Sequence, residues 1–166
     1  MAILGFHHVA ISTPDLDRAI AFYTTAFGFE RVFDLEWPKG VAEIDDMMAL
    51  KDTAARAAML RTGNSFIEFF EFTSPPPTPQ LGDRPVHNHG ITHLCIAVDD
   101  AVAECTRLAK LGLRLHCPPS PHPDSPLAGT YARDPDGNVI EILEVRDPAN
   151  PLAFANRHFA KAEAAA

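Results

Sequence analysis

No apolar run in this chain approaches the roughly 20 residues needed for a helix to cross a bilayer, so no helical membrane segment is readable and no membrane partner is expected. The opening MAILGFHHV lacks a basic segment followed by a long apolar one, so no secretory signal is readable and the expected location is the cytoplasm. Cysteine is scarce. Cys95, Cys105 and Cys117 are odd in number and none has a CxxC neighbour, which argues against a disulfide framework and a thiolate zinc site. They are expected as buried or half-buried thiols. Basic residues are outnumbered, 14 against 22 acidic, for a net charge of −8 with no Lys/Arg cluster. Nucleic acid and acidic membrane surfaces are therefore not expected partners, and a small molecule is.

What the chain does have is repetition. A strand-like run opens with His8 (HHVAIS), and the same half closes on Ile67-Glu68-Phe69-Phe70-Glu71-Phe72. A second run opens with His93 (HLCIAV), and its half closes on Ile140-Glu141-Ile142-Leu143-Glu144-Val145. After His8 come VAIS, a turn at Thr13-Pro14-Asp15, then Leu16, Ile20, Tyr23 and Phe27 at helical spacing and a stop at Gly28. Thr13 is the expected N-cap, with Pro14 at the first helical position and Gly28 in the left-handed closing position. After His93 come LCIAV, Asp99-Asp100, then Val102, Cys105, Leu108 and Ala109 in a helix ending at Gly112.

Strands follow each helix. Residues 29–34 and 113–116 read as one pair of equivalents. Hairpins follow at 57–62 with 66–72, around Gly63-Asn64, and at 130–133 with 139–145, around Asp134-Pro135-Asp136-Gly137-Asn138. The expected fold class is α+β, a single domain over 1–166 built of two βαβββ modules, 5–73 and 91–146. A Pro-rich linker at 74–90 joins them and a tail runs over 147–166. The linker, with its PPPTP, cannot be a central strand. A second Pro cluster, Pro118 to Pro126, is a loop, and both loops are candidates for shaping a pocket. The Ala-rich tail is expected either to dock as a short helix or to fray.

Two such halves, paired about a pseudo-two-fold axis, would bring His8, Glu68, His93 and Glu141 around one point. Two imidazoles and two carboxylates suit a divalent metal of borderline hardness. Strand parity supports the choice: His8 shares its face with Ala10 and Ser12, and His93 with Cys95 and Ala97, leaving room beside each ring. Glu68 lies among Phe66, Phe70 and Phe72, and Glu141 among Val139, Leu143 and Val145. A carboxylate on an apolar face needs a cation to offset its desolvation. Glu71 and Glu144 repeat too, but with opposite parity, and read as solvent or helix-side partners. His7 has the helix-facing parity and reads as structural. His87, His89, His116 and His158 carry no functional reading.

The strings HHVAISTPDLDRAIAFY, GITHLCIAVDD and YARDPDGNVIEILE resemble the vicinal oxygen chelate superfamily over about residues 5 to 146. That superfamily includes glyoxalase I, methylmalonyl-CoA epimerase, extradiol dioxygenases, and fosfomycin and bleomycin resistance proteins. The resemblance implies paired modules curved into an open cup around a metal, a homodimer, and metal ligands at His8, Glu68, His93 and Glu141. The ion would be nickel, cobalt, manganese, zinc, magnesium or iron. Glu68 at the second ligand position favours isomerase or lyase chemistry of the glyoxalase or epimerase kind, with Glu68 and Glu141 as ligands and candidate bases. Bacterial glyoxalase I holds glutathione with an Arg and an Asn where this chain has Ser12 and Phe72, and the Phe66, Phe70, Phe72 surface suggests a more apolar substrate. Tyr131, Asp134, Pro135, Gly137 and Glu141 resemble an extradiol dioxygenase string, with His122 upstream, so an iron dioxygenase binding substrate at His122 and Tyr131 is one alternative. A non-catalytic binder of the resistance type is another, although such proteins typically lose the ligand residues.

Overall fold

The computed structural model describes residues 3–79, 83–119, 122 and 124–154. The chain divides after Pro79 into two compact units. The first contains β1 (His8–Ser12), α1 (Leu16–Phe27), β2 (Glu30–Trp37), α2 (Ala42–Met48), β3 (Ala54–Arg61) and β4 (Phe66–Ser74). The second contains β5 (Leu94–Val98), α3 (Ala101–Lys110), β6 (Arg114–Leu115), β7 (Leu127–Arg133) and β8 (Val139–Val145). Each unit has one four-stranded mixed sheet, ordered β1-β4-β3-β2 and β5-β8-β7-β6. In each, the first strand runs parallel to the last and the other described pairs are antiparallel. The expected α+β class and the repeated strand order are both present.

In the first unit Leu16, Ala19, Ile20, Tyr23 and Ala26 form the buried stripe of α1. The helix lies on β3 and β4, whose buried Leu60, Ile67 and Phe69 complete the core, with the Tyr23 ring 4.8 Å from Phe69. In the second unit Ala101, Cys105 and Leu108 of α3 are buried together with Leu113, Ala132, Ile140 and Ile142. Odd and even positions of β4 and β8 are thus divided between a helix-covered face and an opposite face.

Several expectations need correction. The N-cap of α1 is Asp15, whose carboxylate accepts from the Arg18 amide at 2.9 Å, and not Thr13. Thr13 instead ties the turn, its amide donating to the Phe70 carbonyl at 2.8 Å and its hydroxyl accepting from the Asp15 amide. Pro14 therefore precedes the helix. Gly28 does close it with φ 66°. The second module's first strand begins at Leu94, leaving His93 just outside, and the strand expected over 113–116 is reduced to Arg114–Leu115. Of the three cysteines, all free, only Cys105 is buried; Cys95 and Cys117 are exposed. Leu152 and Phe154 of the tail are exposed, while His158 and the rest of the tail lie outside the described residues.

One element was not anticipated. The seven-residue α2 has no side-chain cap and no fully buried residue, so its sequence carries little helical signal. Asp45 anchors it, accepting from the Asp52 and Thr53 amides at 2.8 Å and from the Thr53 hydroxyl. The Thr53 side-chain hydrogen bond, then the Thr53 amide, holds the Asp45 carboxyl below its ordinary range. Val41, Ile44 and Met48 pack on Trp37, Ala55 and Ala57 together with Phe70 and Phe72. The helix thus covers one end of the sheet face that α1 leaves open.

Gly129 of β7 pairs with Leu143 of β8, and a Cβ there would lie 2.6 Å from the Ile142 carbonyl oxygen. The obstacle is backbone and cannot rotate away, so Gly129→Ala should force the two strands apart and cost about 1–3 kcal/mol. Urea denaturation measures this, and an unchanged midpoint would show that the strands have slack.

Candidate functional site

The parallel pairing of first and last strands positions the predicted ligands. Ala10 is the register partner of Glu68, and Cys95 that of Glu141. In each unit, then, Glu lies across from the residue two positions after His, on the same face. The imidazole reaches diagonally to it: His8 Nε2 lies 3.3 Å from Glu68 Oε2, and His93 Nε2 lies 2.9 Å from Glu141 Oε2. Both pairs are partly accessible, with side-chain exposures of 36% and 18% in the first and 25% and 24% in the second. An ion could therefore enter either pair, yet each carboxylate is partly withdrawn from water.

The other ring nitrogen of each His is also engaged. His8 Nδ1 lies 2.8 Å from His7 Nδ1, and His93 Nδ1 lies 2.8 Å from Thr92 Oγ1. Each ring is therefore held at one nitrogen by the preceding residue while the other faces a carboxylate. The donor set fits a divalent ion of the zinc or nickel kind, which takes imidazole nitrogen and carboxylate oxygen. Among the described residues no three His, Cys, Asp or Glu side chains are grouped as a ready-made ion site, and each unit supplies a pair.

The second pair of repeated glutamates does different work. Glu71 Oε2 accepts from the Leu16 amide at 3.3 Å and from Arg56 at 2.6 Å. Glu144 Oε2 accepts from the Ala101 amide at 3.0 Å, and its Oε1 pairs with Arg146 at 2.9 Å. Leu16 and Ala101 are the first residues of α1 and α3, so each carboxylate satisfies an orphan amide where the helix dipole is positive. The opposite parity of Glu71 and Glu144 thus corresponds to a helix-side role.

Further residues extend the ligand row across each sheet. Tyr131 is the register partner of Glu141, and its ring centroid lies 4.9 Å from that of His93. The His116 amide donates to the Tyr131 carbonyl at 2.8 Å, and their rings meet edge-on at 6.4 Å. In the first unit the same row carries Met59 opposite Glu68 and the exposed Phe33 opposite Met59. One row is hydrogen-bonding and the other apolar. His116, Met59 and Phe33 were missed because their place depends on hairpin register; aligning Met59 with Tyr131 across the repeat would have found them.

The remaining predicted substrate residues are not gathered equally. Phe70 and Phe72 stack at 5.5 Å and meet Trp37 edge-on, as part of the small core under α2. Phe66 stacks on His7 at 4.9 Å; His7 is exposed, which corrects its helix-facing assignment. His122 is exposed, and its backbone carbonyl accepts from Arg146 and from the Ser125 amide. The Cys95 thiol is exposed by area yet crowded by its surroundings. Desolvation first, and then the neighbouring Glu141 charge, push its pKa up to about 12, so it stays protonated and offers no thiolate. The Asp-Pro-x-Gly portion of the dioxygenase-like string is turn architecture: Asp134 is buried and accepts from the Asp136 and Asn138 amides, and Arg133 donates to the Gly137 carbonyl.

Comparison with known proteins agrees with this architecture. Residues 5–142 match the model of the Glyoxalase/Bleomycin resistance protein/Dioxygenase superfamily, and the chain belongs to that family. It is 34% identical over 154 residues to a 2-epi-5-epi-valiolone epimerase of Actinomyces sp, covering 86% of this chain and 80% of the relative. It is 25% identical over 150 residues to a lactoylglutathione lyase of Pseudomonas putida, covering 84% of each. A solved glyoxalase family protein from Bacillus cereus superposes with a TM-score of 0.77 at 25% identity, over 87% of this chain and 95% of the other. A fosfomycin resistance protein from Mesorhizobium loti shares the fold, with a TM-score of 0.55 at 20% identity over 85% and 91%. No helix among the described residues is long and apolar enough to cross a membrane.

The division between the two glutamate pairs is testable by stability alone. Glu71→Ala and Glu144→Ala should each lower stability by about 1–2 kcal/mol through the lost helix anchor. Glu68→Gln and Glu141→Gln should change it by less than about 1 kcal/mol, since partly exposed ion pairs contribute little. Equal losses in all four variants under urea would contradict this separation.

Proposed function

We propose that His8, Glu68, His93 and Glu141 together hold one divalent metal ion, and that the protein is an epimerase moving a proton at a carbon next to a carbonyl. The observation that carries the reading is the pair of His–Glu contacts at equivalent positions of a repeat. A bound divalent ion supplies a Lewis acid for the substrate carbonyl. Glu68 and Glu141 are the acid–base pair: the ionised one takes the proton from carbon, leaving the electron pair delocalised onto the carbonyl oxygen, and the other, protonated at the start, returns its proton to the opposite face, so that each turnover exchanges their protonation states. Beside Glu141 in the second unit, Tyr131 and His116 are the groups that orient polar substituents of the substrate.

Relatives named as an epimerase and as lyases support isomerase or lyase chemistry, and two observations favour epimerisation over glutathione chemistry. The relative at 34% identity is an epimerase. Phe72, where bacterial glyoxalase I resembles this chain but carries an Asn for glutathione, is packed against Trp37. The substrate class proposed is accordingly a small hydroxylated ketone. Ring cleavage by a ferrous dioxygenase is the second reading, favoured by the place of Tyr131 on His93 and across from Glu141.

The test is deuterium exchange. Metal-loaded protein incubated with cyclic hydroxyketones in heavy water should wash deuterium into the carbon beside the carbonyl, and Glu68→Gln or Glu141→Gln should slow this by at least about a hundredfold. Absence of exchange together with oxygen uptake on catechols would replace the epimerase by the dioxygenase. Binding without either reaction would leave a sequestering protein.

A further inference from the structure

We infer that Thr92 and His7 are positioning residues that set which nitrogen of His93 and His8 faces the ion; this rests on the metal site proposed above. An imidazole binds a metal through an unprotonated nitrogen, so a ring offering Nε2 must carry its proton on Nδ1 and needs an acceptor there. Thr92 Oγ1, 2.8 Å from His93 Nδ1, is that acceptor in the second unit. His7 Nδ1, 2.8 Å from His8 Nδ1, is its counterpart in the first, a role that requires the His7 proton to sit on its own Nε2. His7 is itself steadied by its stack on Phe66, with the rings 18° from parallel.

The two contacts come from repeat-equivalent positions, the residue immediately before each ligand, although the residue types differ. Both types can reverse direction. When no ion is present, Nε2–H donates to the glutamate, Nδ1 becomes an acceptor, and a hydroxyl or a second imidazole can then donate to it. Thr92 and His7 therefore keep each ring in place through either tautomer. Valine at 92 or phenylalanine at 7 would preserve bulk, and phenylalanine would preserve the stack, but neither can accept from Nδ1.

The experiment is a competition titration of zinc against a chromophoric chelator, with folding checked by circular dichroism. Thr92→Val and His7→Phe should each bind zinc at least about tenfold more weakly than the wild type, and Thr92→Ser should restore wild-type affinity. Wild-type affinity in both Thr92→Val and His7→Phe would overturn this inference alone. A weakening in Thr92→Val that Thr92→Ser fails to rescue would assign the effect to packing and also overturn it. A wild-type chain that takes up no zinc would overturn the proposed function, and the inference with it.

Discussion

In each unit the first and last strands lie side by side and parallel, and the geometry of the site descends from that pairing. Parallel strands cannot be joined by a tight turn, so the intervening chain must cross over, and here the crossover contains a helix that covers one sheet face. The pairing brings a residue near the start of a module, His8 or His93, beside one near its end, Glu68 or Glu141. The register does the rest. Because the residue two after each His pairs with the Glu, both side chains leave the same face, away from the helix.

That one geometric fact also divides the carboxylates. Glu68 and Glu141 emerge on the open face and meet imidazole. Glu71 and Glu144, three residues later and of opposite parity, emerge on the covered face and meet the first amide of α1 and α3. A one-residue slip in register would exchange their roles, placing the site carboxylates at the helix and the anchors in the open. Fold stability and site chemistry are thus read from alternate positions of the same two strands, β4 and β8.

The His–Glu pairings were legible because they depend on strand parity and on repetition, both of which one chain displays. Family membership was legible too, since the strings around His8, His93 and Glu141 carry the motif over most of the length. Residues whose roles depend on neighbours across a sheet were less visible. Phe70 and Phe72 read as an apolar substrate surface, but α2, too short and uncapped to signal itself, packs beside them and puts them in a small core. His116 is exposed, as a surface residue should be, and only the β6–β7 alignment sets it against Tyr131. Asp15 rather than Thr13 caps α1 because Thr13 is drawn into a bond with Phe70 of β4, a long-range contact that local preference cannot show.

Two units with the same strand order present different rows beside their glutamates, Tyr131 and His116 in one and Met59 and Phe33 in the other. The central proposal is that His8, Glu68, His93 and Glu141 bind one ion. X-ray absorption of the zinc-loaded protein tests it most directly. The account predicts one zinc per chain in a shell of nitrogen and oxygen with the outer scattering of two imidazoles; a sulfur neighbour, fewer than two imidazoles or no bound zinc would contradict it.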